Sequence, residues 1–282
     1  MEALNAYEKL QKIECEKEFK LITVVTRELF EKMLCALEEE YAKDHAGGGA
    51  KGQSVGMRLT IALEYWREYR SQRHMAHAHQ IPKSTINDMI LWVEYRLMDR
   101  EEFQLVDLKE RFKPGEESDI KIVLVDVEEQ PIERPKYEQE KSYSGKKKQH
   151  TTKYQILVNQ KTKEILDVYN DIGTAHDFAM FKDSLVGVLP ESIIPLVDLG
   201  YIGIDKYFPC ALIPNKATKN NPLTDAEKAF NRMVGKLRVK IEHIIRQIKI
   251  FRICKETYRG KGERGVERVK LISVLYNFML LS

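Results

Sequence analysis

The chain has 282 residues, of which 43% are hydrophobic and 32% are charged, and its formal net charge at pH 7 is +3. This length leaves room for about two domains, each with its own core. The four cysteines form no CxxC pair, which argues against a zinc knuckle or a disulfide framework. No apolar run approaches the roughly 20 residues of a membrane span, and the acidic N-terminus has no signal-peptide character, so we expect a cytoplasmic protein.

Charge is distributed unevenly along the chain. Residues 1–50 carry seven Lys and Arg against eleven Asp and Glu, whereas residues 232–270 carry thirteen against four. A basic block in a chain that also has an acidic block suggests that a polyanion binds one part of the molecule. Since basic faces are often only solvated surface, charge alone leaves both interpretations open.

The first 105 residues are predicted to be all-α. Residues 5–20 and 26–42 place apolar side chains at helical spacing, and a loop with three consecutive glycines, Gly47–Gly49, follows them. Helical periodicity returns at Met57, so we expect further helices in the segment after this loop.

A helix-turn-helix is predicted at about 57–98. Pro82 is tolerated only in the first turn of a helix, so the last helix of the segment begins there, after a tight turn. In such a motif the N-terminal side chains of the second helix meet DNA bases or phosphates. An ordinary three-helix bundle fits the same pattern. The candidate DNA-binding residues here are Lys83, Ser84, Thr85 and Asn87.

After a charged linker over residues 106–119, the periodicity changes to that of strands. The run "IKIVLVDVEE" predicts a buried strand that ends at Asp126, and "SIIPLVDLG" predicts another that ends at Asp198. Between them, "KYQILVNQ" and "KEILDVYN" form a predicted hairpin, and a helix follows with Thr174 as its N-cap. Residues 120–282 are therefore expected to form a mixed α/β domain.

A long basic helix near the C-terminus carries one acid, Glu242, at the margin of its apolar stripe. If this helix crosses the edge of the sheet, Glu242 joins Asp126 and Asp198 as a third carboxylate. Three carboxylates suit Mg²⁺, which prefers oxygen ligands, and two such ions catalyse phosphoryl displacement. The simpler interpretation is a helix ion pair, because Arg238 and Arg246 lie four residues on either side of Glu242.

Several blocks of the sequence together resemble DDE-superfamily insertion-sequence transposases, with the group related to Harbinger-type elements as the closest. These blocks, in chain order, are "DVEEQPIERP", "YSGKKKQHTTKYQ", "GTAHDFAMFKDS", "DLGYIGI" and "LRVKIEHIIRQIKIFRI". The resemblance covers the chain from about Met57 onward. It implies an RNase H-like catalytic domain preceded by a helix-turn-helix domain that recognises terminal inverted repeats.

The resemblance also implies a set of site residues. Asp126, Asp198 and Glu242 match the catalytic and metal-binding triad, with Mg²⁺, or Mn²⁺ in its place, as two ions per site. The bound partner is double-stranded DNA, and a homodimer or larger assembly on DNA is expected, with neither a membrane nor a small-molecule substrate involved. Basic side chains expected at the DNA backbone are Lys146, Lys147, Lys148, Arg238, Arg246 and Lys249.

Two positions depart from the family pattern. Glu128 stands where a small hydroxyl residue is common, and Ile202 where a glutamine is common. The function expected from the sequence is DNA transposition, by cleavage at the element ends and joining of the 3′ ends to target DNA. Two alternatives stay open: a transposase-derived DNA-binding protein without catalysis, and a stand-alone metal-dependent endonuclease.

Overall fold

A computed structural model describes residues 4–46, 52–113, 115, 118–219, 221–260 and 264–281. The predicted glycine loop at Gly47–Gly49 lies outside the described residues. The chain divides into two units, which we call the helical unit and the sheet unit. The helical unit comprises Met1–Gln104, Ile248–Glu256 and Glu267–Ser282, and the sheet unit comprises Leu105–Gln247 and Thr257–Val266. Within the described part of the chain, no helix is both long and apolar enough to cross a membrane.

Six helices begin the helical unit, and side-chain caps explain where several of them start. Asn5, Thr26, Ser54 and Ser71 each accept a hydrogen bond from a backbone N–H in the first turn of the helix that follows. The helices are α1 (Ala6–Gln11), α2 (Glu16–Thr23), α3 (Arg27–Asp44), α4 (Val55–Glu68), α5 (Gln72–His79) and α6 (Lys83–Met98).

Helices α4 to α6 occupy the segment in which the sequence predicts three helices. A three-residue turn joins α5 to α6, and Gln80 in that turn adopts the left-handed region at φ 55°. Pro82 is the N-cap of α6, which confirms the predicted helix start. The apolar face of α6 is also confirmed, because Ile86, Met89, Ile90 and Val93 are all buried.

A buried ion pair joins α6 to the last helix of the chain. Glu94 accepts hydrogen bonds from Arg268 Nε at 2.6 Å and Arg268 Nη2 at 2.9 Å, and a third from Trp66 Nε1 at 2.9 Å. Both ionised side chains are less than one-tenth exposed. From the sequence, residues 120–282 are expected to form one α/β domain, whereas the chain division places Ile248–Glu256 and Glu267 onward in the helical unit.

The sheet unit is built on one mixed sheet. The hairpin predicted from the sequence is confirmed, because the third and fourth strands pair antiparallel, while the first and fifth strands pair parallel. The path through the sheet is β2-β3-β1-β5, and β4 lies against β3. The strands are β1 (Ile122–Pro131), β2 (Tyr143–Ser144), β3 (Gln149–Asn159), β4 (Ile165–Ile172) and β5 (Ile194–Leu196).

Helices of very different length accompany this sheet. The longest, α10, carries the basic segment, and its predicted apolar stripe is buried at Val234, Ile241, Ile244 and Ile248. The helices are α7 (Leu108–Arg111), α8 (Gln139–Ser142), α9 (Asp177–Leu185), α10 (Asp225–Ile248) and α11 (Arg264–Leu281). Most of α11 belongs to the helical unit.

Two local predictions are wrong. Strand β1 does not end at Asp126 but continues to Pro131, because β3 is long enough to pair with every residue from Val123 to Pro131. Helix α9 takes His176 as its N-cap, not Thr174. The Thr174 hydroxyl and backbone N–H instead both donate to the Lys141 carbonyl, at 2.7 and 3.3 Å, which holds Thr174 in the loop before the helix.

The core of the sheet unit lies on one face of β1. Val123 and Val125 point into a cluster of buried side chains that includes Phe181 and Leu185 from α9. Because side chains alternate along a strand, Leu124 and Asp126 point to the opposite face. This alternation places Asp126 away from the apolar cluster.

The Glu94–Arg268 pair generates the first prediction. We expect Arg268→Met to lower the free energy of unfolding by about 3 to 5 kcal/mol, because removing one partner leaves the other charge buried and uncompensated. Urea unfolding followed by circular dichroism measures the change. As a control, Glu68→Gln removes the more exposed ion pairs with Arg67 (2.8 Å) and Arg252 (3.4 Å) and is expected to cost about 1 kcal/mol or less. Equal effects of the two substitutions would contradict this prediction.

Candidate active site

Strand register brings Asp126 and Asp198 together. In the parallel pair, Leu124 lies opposite Leu196, and this is the last pair before β5 ends. Each aspartate stands two residues after its leucine, so both side chains project from the same face of the sheet where the two strands separate. Strand pairing thus brings the two positions near each other, and the turn after β5 sets the orientation of Asp198.

Arg238 of α10 lies beside both aspartates. Its Nη2 atom is 3.8 Å from Asp126 Oδ1 and 4.0 Å from Asp198 Oδ2. Both distances exceed the length of a hydrogen bond, so the contact is electrostatic. The Nε atom of Arg238 is buried and has no hydrogen-bond partner among the described residues.

Burial raises the pKa of the Asp126 carboxyl to about 6. The Arg238 guanidinium and a hydrogen bond donated by the Val127 N–H act in the opposite direction, whereas the carboxylates of Asp198 and Glu128 add to the rise. A partly buried carboxylate next to another acid thus depends on nearby positive charge to remain ionised. Strongly shifted carboxyl groups of this kind are typical of functional sites.

The backbone turn after β5 orients Asp198. Its Oδ1 accepts a hydrogen bond from the Gly200 N–H at 2.7 Å. A Cβ atom at Gly200 would lie 2.9 Å from that same oxygen and 3.5 Å from Asp177 Oδ2. Lys153 in turn binds Asp177 Oδ1 at 2.8 Å and the Ala175 carbonyl at 2.6 Å. The turn is therefore packed between two carboxylates, and Asp177 is held by a lysine.

Tyr201 lies beneath the same group of charges. Burial raises the pKa of its hydroxyl well above the usual range, and the nearby carboxylates of Asp177, Asp126 and Asp198 raise it further. The hydroxyl has no hydrogen-bond partner among the described residues, and the ring packs edge-on against Phe181 at 5.8 Å. Sequence reasoning missed Lys153 and Tyr201, although both stand inside the blocks that carry the family resemblance.

Glu242 is exposed on α10, one helical turn beyond Arg238. Across the described residues, no three His, Cys, Asp or Glu side chains come together in a group that could hold a metal ion. The structure thus brings Asp126 and Asp198 to one cation and leaves Glu242 apart from them. Two carboxylates still fit Mg²⁺, because this ion is commonly held by one or two carboxylates, with waters and substrate phosphate completing its shell.

The basic side chains expected at the DNA backbone lie on different elements. Lys146, Lys147 and Lys148 are exposed in the turn between β2 and β3, where Lys148 adopts the left-handed region at φ 57°. Arg246 is exposed on α10, whereas Lys249 is half-buried and belongs to the helical unit.

In the helical unit, Lys83 and Ser84 are exposed at the start of α6, and Thr85 is half-buried. Asn87 accepts a hydrogen bond from Gln72 Nε2 at 3.1 Å, so it links α5 to α6. The first turn of α6 contains no acidic residue. This helix end therefore presents its free N–H groups and a lysine together, which favours contact with anions.

The chain is similar to proteins of one known family. The family described as DDE superfamily endonuclease matches residues 125–277, a segment that contains Asp126, Asp198 and Glu242. A protein of Microchaete diplosiphon, described as a probable transposase for insertion sequence element IS702, is 33% identical over 265 residues. That alignment covers 94% of this chain and 95% of the relative. No solved structure matches the chain.

The packing around Gly200 generates a prediction about metal binding. We expect Gly200→Ala to weaken Mn²⁺ binding about tenfold or more, because the added methyl group displaces the Asp198 carboxylate, while global stability changes by less than about 1 kcal/mol. Calorimetric titration with Mn²⁺ and thermal unfolding measure the two effects. Gly235→Ala is the control, since a Cβ there meets nothing within 4 Å. Unchanged Mn²⁺ affinity in Gly200→Ala would contradict the assignment of Asp198.

Proposed function

Because this chain belongs to the DDE superfamily endonucleases, and to the insertion-sequence transposases among them, we propose that it cuts and joins DNA at the ends of a mobile element. In this proposal it binds the terminal inverted repeats, hydrolyses phosphodiester bonds at the element boundary and transfers the freed 3′ ends to target DNA. The observation that carries the proposal is the placement of Asp126 and Asp198 at one point of the sheet, next to Arg238.

Asp126 and Asp198 are the proposed ligands of two Mg²⁺ or Mn²⁺ ions, with Glu242 as the third carboxylate. Bound divalent ions supply activation of the attacking water or 3′-hydroxyl and stabilisation of the leaving oxygen. In the sheet, β1, β3 and β4 are consecutive antiparallel strands and β5 runs parallel to β1, an arrangement that supports an RNase H-like domain. Support for Glu242 comes from its position in the matched family segment.

The residues around the aspartates have defined tasks in this proposal. Asp126 and Asp198 hold their oxygens on one side of the sheet, and the Gly200 N–H fixes the orientation of Asp198. The exposed lysines of the β2–β3 turn, Lys146–Lys148, and the exposed Arg246 hold the DNA backbone through phosphate contacts that position the duplex without reading its sequence.

Recognition of the inverted repeats is assigned to the helix-turn-helix formed by α5 and α6. Lys83, Ser84 and Thr85 stand at the N-terminus of α6, the end of a recognition helix that meets base edges and phosphates. Asn87 connects the two helices, because it accepts a hydrogen bond from Gln72. Joining two element ends requires two such modules, so we propose a homodimer or larger assembly on DNA.

The carboxylates generate a prediction about cleavage. We expect Asp126→Asn, Asp198→Asn and Glu242→Gln each to lower Mg²⁺-dependent cleavage at the repeat boundary by at least about 100-fold, because each loses an anionic oxygen ligand. Gel assays on a duplex carrying the repeats that flank the gene measure cleavage, and a shift assay measures binding, which is expected to survive.

Asp225→Asn is the control for these variants, because Asp225 is a fully exposed acid on the same helix as Glu242. If Glu242→Gln cuts as well as the native protein, Glu242 is an ordinary helix ion-pair residue. If the native protein binds the repeats and never cuts them, the chain is a DNA-binding protein without catalysis. Cleavage without any joined product identifies a stand-alone endonuclease.

The recognition helix generates a separate prediction. We expect Lys83→Ala to weaken binding to all DNA sequences alike and to reduce the slope of log K against log salt by about 1, as loss of one phosphate contact does. Fluorescence anisotropy at several salt concentrations measures both. Lys17→Ala, an exposed lysine on α2, is expected to leave affinity and slope unchanged. An unchanged slope in Lys83→Ala would remove α6 from the DNA interface.

A further inference from the structure

Arg238 is expected from the sequence to bind the DNA backbone, yet its guanidinium lies between the two aspartates of the candidate site. We propose that Arg238 is the internal counter-ion of the Asp126–Asp198 pair: it stabilises the pair while no metal is bound and opposes the entry of divalent metal. This inference rests on the proposed metal-dependent function. It changes the role of Arg238 from contacting substrate to setting the affinity of the site for its metal.

Electrostatics require a cation at this position. Two carboxylates on the same face of the sheet repel each other, and their side chains are only 22% and 36% exposed, so water screens that repulsion incompletely. The Arg238 side chain is equally shielded, at 22% exposure. Its Nη2 atom lies 3.8 Å from Asp126 and 4.0 Å from Asp198, so its positive charge offsets part of their mutual repulsion.

The contact between Arg238 and the two aspartates is also long enough for a metal ion to replace it. A neighbouring ion pair in the same unit, Lys153 with Asp177, is hydrogen-bonded at 2.8 Å. Arg238 makes no comparable hydrogen bond to either aspartate, and its buried Nε has no partner among the described residues. Asp126 Oδ1, which accepts the Val127 N–H, and Asp198 Oδ2 thus make no hydrogen bond to Arg238, so a metal ion can replace the guanidinium without breaking one.

Removing this charge has two opposite consequences. Without metal, Asp126 and Asp198 lose their compensating cation, so the protein becomes less stable. With metal, the site no longer contains a positive charge that repels the incoming ion, so the affinity for metal rises. A residue that only packs, or one that only contacts DNA, produces no such combination.

The test measures Mn²⁺ binding to DNA-free protein by calorimetry, together with the Tm in the presence and absence of Mn²⁺. We expect Arg238→Met to bind Mn²⁺ about tenfold more tightly than the native protein, since a unit charge about 4 Å away has been removed. Its Tm is expected to be lower without metal and to rise more on adding Mn²⁺. If Arg238→Met fails to fold, the same measurements are made on Arg238→Gln, which also removes the positive charge.

Two controls isolate the effect of charge at this position. Arg238→Lys retains the positive charge, so its Mn²⁺ affinity is expected to stay within about threefold of the native value. Arg232→Met removes an exposed arginine from the same helix and is expected to leave the Mn²⁺ affinity and the Tm unchanged. Asp126→Asn tests the site itself, because it is expected to abolish Mn²⁺ binding both in the native protein and in the Arg238 variants.

Each contrary outcome overturns a different statement. If Arg238→Met leaves the Mn²⁺ affinity unchanged and lowers the Tm equally with and without metal, Arg238 only stabilises the fold and the counter-ion role is wrong. If Mn²⁺ affinity and Tm both stay at their native values while fluorescence anisotropy shows weaker DNA binding, Arg238 contacts DNA and the counter-ion role is again wrong. If Asp126→Asn binds Mn²⁺ as the native protein does, the proposed metal site itself fails, and the inference fails with it.

Discussion

Repulsion between two acids held on one face of a sheet is the constraint around which the sheet unit is organised. The pairing of Leu124 with Leu196 brings Asp126 and Asp198 together whether or not a cation is present. A fold that places two carboxylates in this way offsets their repulsion by supplying positive charge, by binding a cation from solution or by keeping one acid protonated. Here the long basic helix α10 supplies it through Arg238.

The same constraint explains why the region contains so many paired charges. Asp177 reaches the turn at Gly200, but Lys153 neutralises it, so it adds little further repulsion to the pair. An anionic centre that is surrounded by basic residues suits an enzyme acting on DNA, because metal ions require acidic ligands while phosphates require basic ones. The basic C-terminal segment therefore suits phosphate binding, and Glu242 within it is the carboxylate that we propose for metal binding.

Much of this arrangement could be predicted from the sequence, because it depends on local patterns. The β3–β4 hairpin, the buried face of α6 and the apolar stripe of α10 each follow from a periodicity visible over a few residues. The predicted end of β1 is wrong, because the length of β1 depends on how far β3 continues to pair with it. The proximity of Arg238 to Asp126 and Asp198 could not be predicted, because it joins residues far apart in sequence, whereas its neighbour on the helix is Glu242.

The packing of the C-terminal helix could not be predicted for the same reason. Glu94 and Arg268 are separated by 174 positions, and no local pattern reveals that they meet. Periodicity within the last helix identifies its apolar face but not the helices against which that face packs.

That ion pair also determines when the helical unit is complete during protein synthesis. Residues before Gln104 leave the ribosome early, but Arg268 emerges only after the entire sheet unit has been made. Until then Glu94 lacks its partner, and the helices that carry Lys83 remain without one of their buried contacts. A chain that ends before Arg268 therefore leaves Glu94 buried without its cationic partner, so its helical unit is less stable than that of the full-length chain.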